Sequence, residues 1–200
     1  MKTFPIHLKI EGLKILLVGG GTLALEKLDK LVQYEADVTV VSPHLSPDVA
    51  AIVEAHGVSH LAEPYRRDHI GTHRIVYAAA DEATNARIYD DTRSIPILLN
   101  TVDAPDFCDF IMPSVVQGAH FTLSVSTGGK AAGLSKQMRE QLERYLAKED
   151  DVLTLLDKIR DIFKRKYATF NERRDRLREI LEELERIEKG GGDSSSNIEH

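Results

Sequence analysis

Cysteine is almost missing from this 200-residue chain: Cys108 stands alone, which excludes an intrachain disulfide and any zinc or iron–sulfur site built on several thiolates. A reducing compartment suits such a chain, so the expected address is cytoplasmic. Long hydrophobic runs are also missing. The opening MKTFPIHLKIEGLKILLVGGG has apolar stretches, but Lys9, Glu11 and Lys14 interrupt them. Neither a signal-peptide core nor a span of ~20 apolar residues results, so no targeting segment and no membrane association are expected. Positive charge is not in surplus: 26 Lys and Arg face 32 Asp and Glu, for a net charge of −6. A field of that sign repels phosphates and argues against general nucleic-acid binding, although local basic patches remain open. No internal repeat is visible.

What the chain has is alternation. Lys14 to Val18 (KILLV) is a short apolar run followed at once by three glycines, the pattern of a strand buried on both faces. Leu23, Lys27, Lys30 and Leu31 then recur at helical spacing within Thr22 to Tyr34. Asp37 to Val41 (DVTVV) is a second strand, closed by Ser42-Pro43. The alternation predicts a helix over 47–56, strands near 58–61 and 74–79, a helix over 82–93 and a strand at Ile95 to Leu99. This is the order of an α/β, Rossmann-type doubly wound parallel sheet. Past Asp103 the texture changes: FIMPSVV and FTLSVST flank Gln117-Gly118-Ala119-His120 and predict two strands joined by a tight turn.

From Gly133 onward three amphipathic helices are expected. The first carries Leu134, Met138, Leu142, Tyr145 and Leu146, and the second Leu153, Leu156, Ile159, Ile162 and Phe163. A third is signalled by the capping-box spacing of Thr169 and Glu172. The tail GGGDSSSNIEH has no apolar pattern and is expected to be disordered. The expected organisation is a nucleotide-binding domain over 1–112, a small α+β segment over 113–146, a helical domain over 147–189 and a tail from 190.

Gly19, Gly20, Gly21 and Ala24 spell G-x-G-x-x-A after a strand and at the start of a helix, the context a dinucleotide fingerprint requires. Gly19 serves the tight turn, Gly21 lets backbone approach a pyrophosphate, and Ala24 lets the helix pack on the sheet. The amides of Thr22 and Leu23 then face the anion with the helix dipole behind them. A plain strand-to-helix turn is the competing reading. The acid that usually binds the ribose 2′-hydroxyl is missing, because Ser42 and Pro43 occupy its place and Asp37 lies at the wrong end of the strand. Residue chemistry alone therefore permits NAD or NADP. A short-chain dehydrogenase is disfavoured, since no Tyr-x-x-x-Lys spacing occurs.

Five segments, taken together, resemble the precorrin-2 dehydrogenases, which also form the N-terminal part of sirohaem synthases. They are PIHLKIEGLKILLVGGGTLALEK, VTVVSP, YAAADEATN, LLNTVDAPDFCDFIMPSVV and FTLSVSTGGKAAGLSKQMREQLE, from about Pro5 to Tyr145. The resemblance implies oxidation of precorrin-2, a polycarboxylate tetrapyrrole, to sirohydrochlorin with NAD, with ferrous iron insertion in some members. It implies Asp103, from N-x-V-D, as the catalytic residue, and cofactor contacts at Gly19, Gly21, Thr22, Leu23, Ser42, Pro43, His44 and Asn100. It implies Ser126 and Thr127 on the substrate side, and a homodimer built by the middle segment. There are departures: Glu26 stands where the family has Arg, and Ala131-Ala132 where many members have Ser-Pro. The chain shows no methyltransferase segment, so its precorrin-2 is expected from another protein.

Beside the resemblance, Asp103 reads on residue chemistry as a base near the C-terminal sheet edge or as a cap for the turn before Pro105. A polycarboxylate needs concentrated cations, and Lys130, Lys136 and Arg139 form an acid-free stretch that serves as a carboxylate clamp or as a solvated helix face. The pairs His56/His60 and His69/His73 have i,i+4 spacing, but Gly57 and Gly71 interrupt them, so no metal site is expected. Cys108, between Phe107 and Phe110 in the chain, reads as a small buried side chain. A non-catalytic NAD-sensing module is the alternative function.

Overall fold

The computed structural model describes residues 3–119, 121–128, 131–146 and 149–191. They divide into two compact units, one of Met1–Pro113 with Ser126–Ala132, the other of Ser114–Val125 with Gly133–His200.

In the first unit, β1 (Lys14–Val18), α1 (Thr22–Gln33), β2 (Asp37–Val41), α2 (Pro47–His56), β3 (Ser59–Leu61), β4 (Ile75–Ala78), α3 (Glu82–Thr92) and β5 (Leu98–Thr101) alternate. The sheet is parallel in the order β3-β2-β1-β4-β5, so chain direction across it reverses beside β1, between β2 on one side and β4 on the other. That reversal opens a crevice at the carboxyl ends of β1 and β4. Ile15 and Leu17 pack with Leu28 and Leu31 of α1 and Val49 of α2 on one face, while Leu16 and Val18 pack with Ile88 of α3 on the other. Burial on both faces explains why β1 is apolar from Ile15 to Val18 rather than alternating.

Local signals set the helix ends. Ser46 caps α2, accepting from the Val49 N–H at 3.4 Å, Pro47 takes the first turn, and Gly57 ends it at φ 62°. Asp81 caps α3 through the Thr84 N–H at 2.9 Å. One expected strand is displaced: β5 runs over Leu98–Thr101, not Ile95–Leu99. Pro96 has no N–H to donate to a ladder, Ile95 N–H returns to the Thr92 carbonyl and Ile97 N–H to Ile95, so pairing waits until Leu98. Two short 3₁₀ turns, Arg67–Ile70 and Pro105–Phe107, were not signalled by periodicity.

In the second unit, β6 (Ser114–Gln117) and β7 (Thr122–Val125) pair antiparallel with Ser114 opposite Val125, the expected hairpin. His120, expected in its turn, lies outside the described residues. Helices α4 (Ala132–Leu146), α5 (Glu149–Lys166) and α6 (Phe170–Gly191) follow. The reciprocal box at α6 is formed: Thr169 N–H donates to Glu172 Oε2 at 3.1 Å and Glu172 N–H to Thr169 Oγ1 at 3.3 Å. The tail expected from 190 is helical to Gly191, and its remainder lies outside the described residues. Between Lys158 and Arg178 stand nine basic and three acidic residues, with Lys158, Arg160, Arg165 and Lys166 exposed.

Candidate functional site

The glycine turn sits at the crevice. Gly19 has φ 122°, and a β-carbon there would lie 2.2 Å from the Ala79 carbonyl oxygen. At Gly20 a β-carbon would lie 2.2 Å from the His44 carbonyl oxygen and 2.8 Å from Ser42 Oγ. Gly21 differs: a β-carbon would meet nothing within 4 Å, so the space before α1 is open. Sequence reasoning gave Gly20 no role, because the fingerprint leaves that position unrestricted. Its constraint comes from the β2–α2 loop, whose Ser46 N–H also donates to the Gly20 carbonyl at 2.8 Å.

The helical ladder of α1 begins at Leu25, whose N–H reaches the Gly21 carbonyl at 3.0 Å. The amides of Thr22, Leu23 and Ala24 therefore have no helical acceptor, and no acid occupies the first turn. Thr22 and Leu23 are exposed, while Ala24 is buried and brings the helix against the sheet. A cleft of about 330 Å³ extends from this turn, lined by Ser42, Pro43, Pro64, Tyr65, Ala79, Ala80, Asp81 and Thr84 among others. Open space at Gly21, donors without helical acceptors and an adjoining cleft fit a dinucleotide's pyrophosphate and one attached nucleoside.

At the end of β2, Ser42 is buried and its hydroxyl donates to the His44 carbonyl at 2.7 Å, which shapes the loop, while the side chains of Pro43 and His44 are exposed. Lys14 of β1 opposite Asp37 places that acid at the far edge of the sheet, away from the crevice. Tyr65 is anchored by its hydroxyl to Asp91 at 3.0 Å; burial first, then that bond, pushes its pKa well above the phenol range. Three histidines are engaged elsewhere. His60 Nε2 meets the Ser42 carbonyl at 2.9 Å, His69 accepts from Arg66 N–H and contacts Glu63, and His73 meets the Ile70 carbonyl.

Asp103 follows β5 by two residues, on the same carboxyl edge, at φ 59° and exposed. Among the described residues its carboxylate has no hydrogen-bond partner, and Ala104, not Asp103, precedes the Pro105–Phe107 turn without a side-chain cap. The capping alternative is therefore not what the structure forms. Lys27, half-buried on α1, lies within electrostatic reach of Asp103 and Cys108. Burial pushes its ammonium pKa down and Lys30 adds to that, against the pull of Glu26, Cys108 and Asp103. In the sequence Lys27 is one of two lysines, with Lys30, at helical spacing with Leu23 and Leu31, and nothing there separates the two.

Cys108 is half-buried, and burial pushes its thiol pKa up. Its Sγ accepts from the Thr101 N–H at 3.2 Å and lies 3.2 Å from the Thr101 carbonyl, joining the two ends of the Asp103 loop. Asn100, expected at the cofactor, is buried with its amide donating to the Phe110 carbonyl at 2.9 Å and directed at Cys108 Sγ. Ser126 and Thr127 belong to the same compact unit as Asp103. They shape the turn before α4: Gly128 N–H donates to Ser126 Oγ and Ala131 N–H to Thr127 Oγ1, both at 3.1 Å, with Gly128 at φ 65°. Lys130 lies outside the described residues. Lys136 is exposed, and Arg139 is engaged on its own helix with Glu143 and, at 3.3 Å, Glu140.

Comparison with known proteins adds four findings. Residues 6–114 match the model of a family described as "Putative NAD(P)-binding". Over 184 residues, 91% of this chain and 35% of the relative, the sequence is 33% identical to a siroheme synthase of Psychrobacter cryohalolentis. Over 176 residues it is 35% identical to a siroheme synthase of Neisseria meningitidis, covering 87% of this chain and 36% of that one. The chain thus spans about a third of the length of these relatives. A solved structure, SirC, precorrin-2 dehydrogenase, superposes with a TM-score of 0.75 at 22% identity, over 94% of this chain and 100% of that chain.

Proposed function

From the premise that this chain belongs to the NAD(P)-binding family, we propose that it is a precorrin-2 dehydrogenase, oxidising that tetrapyrrole to sirohydrochlorin with NAD. Similarity to siroheme synthases over a third of their length supports the substrate, since precorrin-2 oxidation belongs to sirohaem synthesis. The observation that carries the reading is local: an exposed aspartate without a hydrogen-bond partner among the described residues, held on the carboxyl edge of β5 next to the strand whose end lines the cofactor cleft.

NAD, when bound, supplies the hydride acceptor. This chain's own residues do the rest. Amides of Thr22 and Leu23 receive the pyrophosphate, the loop of Ser42, Pro43 and His44 borders the adenosine side, and Gly21 leaves room for the phosphates. The substrate gives up a hydride and a proton, and the Asp103 carboxylate takes the proton. Lys27 sets a half-buried cation by the same turn, suited to a substrate carboxylate. Ser126 and Thr127 are assigned to the substrate side, and Lys130, Lys136 and Arg139 to carboxylate binding, for which Arg139 must exchange its glutamate partners.

Anaerobic incubation with precorrin-2 and NAD should yield NADH in step with sirohydrochlorin. In Asp103→Ala that rate should fall by ~100-fold or more while NAD affinity stays within a factor of two. Retention of more than about a tenth of the rate would remove Asp103 from the chemistry, whereas NAD binding with no NADH formed by the unaltered chain would transfer it to the class of non-catalytic NAD-sensing modules. Adding ferrous or cobalt ion afterwards tests for metal insertion.

A further inference from the structure

The loop that carries Asp103 is closed by a set of contacts that the proposed reaction does not use. Residues 99 and 109 face each other across its base: Asp109 N–H donates to the Leu99 carbonyl at 2.8 Å, and Leu99 N–H donates to Asp109 Oδ2 at 2.9 Å. The guanidinium of Arg93 grips both oxygens of the same carboxylate, at 3.1 and 2.9 Å. Arg93 in turn lies over the ring of Tyr89 at 4.5 Å, and Tyr89 stacks on Phe107 at 4.3 Å with planes 23° apart. Both Arg93 and Tyr89 come from the C-terminal end of α3, whose N-terminal Asp81 and Thr84 line the cofactor cleft.

An exposed ion pair ordinarily contributes little. This one differs in three respects: its fork is bidentate, its acceptor also holds a strand amide, and it closes a loop whose apex holds a non-glycine residue at φ 59°. We infer that Asp109 and Arg93 are positioning residues, which fix the direction of the Asp103 carboxylate by locking the ends of its loop to β5 and α3. The inference rests on Asp103 being the catalytic group. Asp109 is consistent with the part: burial alone would raise its carboxyl pKa, yet the bonds from Arg93 and from the Leu99 amide hold it below the usual carboxylate range.

The test is a double-mutant cycle with Asp103, measured as NADH formation from precorrin-2 at saturating substrate, well below each variant's melting temperature. Asp109→Ala should lower kcat tenfold or more, with KM for precorrin-2 and the Kd for NAD changed less than threefold. Asp109→Asn, which keeps an acceptor for Leu99 N–H, should recover part of that loss, and also serves if the alanine variant fails to fold. In an Asp103→Ala background, adding Asp109→Asn should cost less than twofold more, because the group it positions has gone. An unchanged kcat in both Asp109 variants overturns the inference, as does an equal loss with and without Asp103. A fully active Asp103→Ala protein would instead overturn the catalytic reading beneath it, so the two failures are distinct.

Discussion

At the scale of single residues, the three adjacent glycines should respond differently. Gly19→Ala forces a β-carbon onto a fixed carbonyl at an unfavourable φ, and Gly20→Ala forces one onto the His44 carbonyl of the β2–α2 loop. Each should destabilise by about 1–3 kcal/mol or more, read as a lowered midpoint in denaturant titration. Gly21→Val has open space, so stability should move by less than about 1 kcal/mol while NAD affinity falls at least tenfold by calorimetry. Unchanged affinity there would remove the pyrophosphate from this turn. The fingerprint was legible as a pattern, but the difference between Gly20 and Gly21 was not, since only the folded loop brings His44 over one and nothing over the other. The position of Asp103 just after a strand was legible, and its proposed role rests on the motif. Its left-handed backbone, the sulfur contacts of Cys108 and the clamp at Asp109 depend on chain return and left no periodic trace. Asp109 also predicts a pH effect. With its folded pKa below its unfolded one, its stabilisation is present above the unfolded value and is lost as pH falls through the folded value. Protection of the Leu99 amide, measured relative to its intrinsic exchange rate, should therefore fall below about pH 4, and Asp109→Asn should abolish that loss of protection.

At the scale of elements, strong local punctuation made β1, β2 and α2 readable: a glycine turn, Ser42-Pro43, and a capped, proline-started helix closed by glycine. β5 starts three residues later than expected, because Ile95, Ile97 and Leu98 read as one apolar run although Pro96 within it cannot donate to a ladder. The cost of that shift was concrete, since it buried Asn100 and Thr101 in the sheet and moved Asp103 closer to the strand end than the spacing had suggested. α6 offers a clean test of local signalling. Thr169→Ala removes one half of a reciprocal cap and should destabilise the second unit by about 1 kcal/mol, seen as earlier loss of helical ellipticity, whereas Arg178→Ala on the same helix should change little.

At the scale of the whole molecule, the family resemblance anticipates a dimer through the segment holding β6 and β7, a two-stranded ribbon too small to bury a core alone. Light scattering at micromolar concentration should give twice 22.3 kDa; a monomeric mass with full activity would dismiss that assembly. Charge is distributed unevenly along the same chain. The surplus of six positive charges between Lys158 and Arg178 leaves the other 179 residues with −12, although the total is only −6. A protein whose pI is near 5.8 is expected to pass a cation-exchange column at pH 7. This one should be retained on cation- and anion-exchange resins alike at low salt, because a resin bead samples one face at a time and ignores the sum. Charge-neutralising Lys158, Arg160, Arg165 and Lys166 together should abolish cation-exchange retention and leave anion-exchange retention intact.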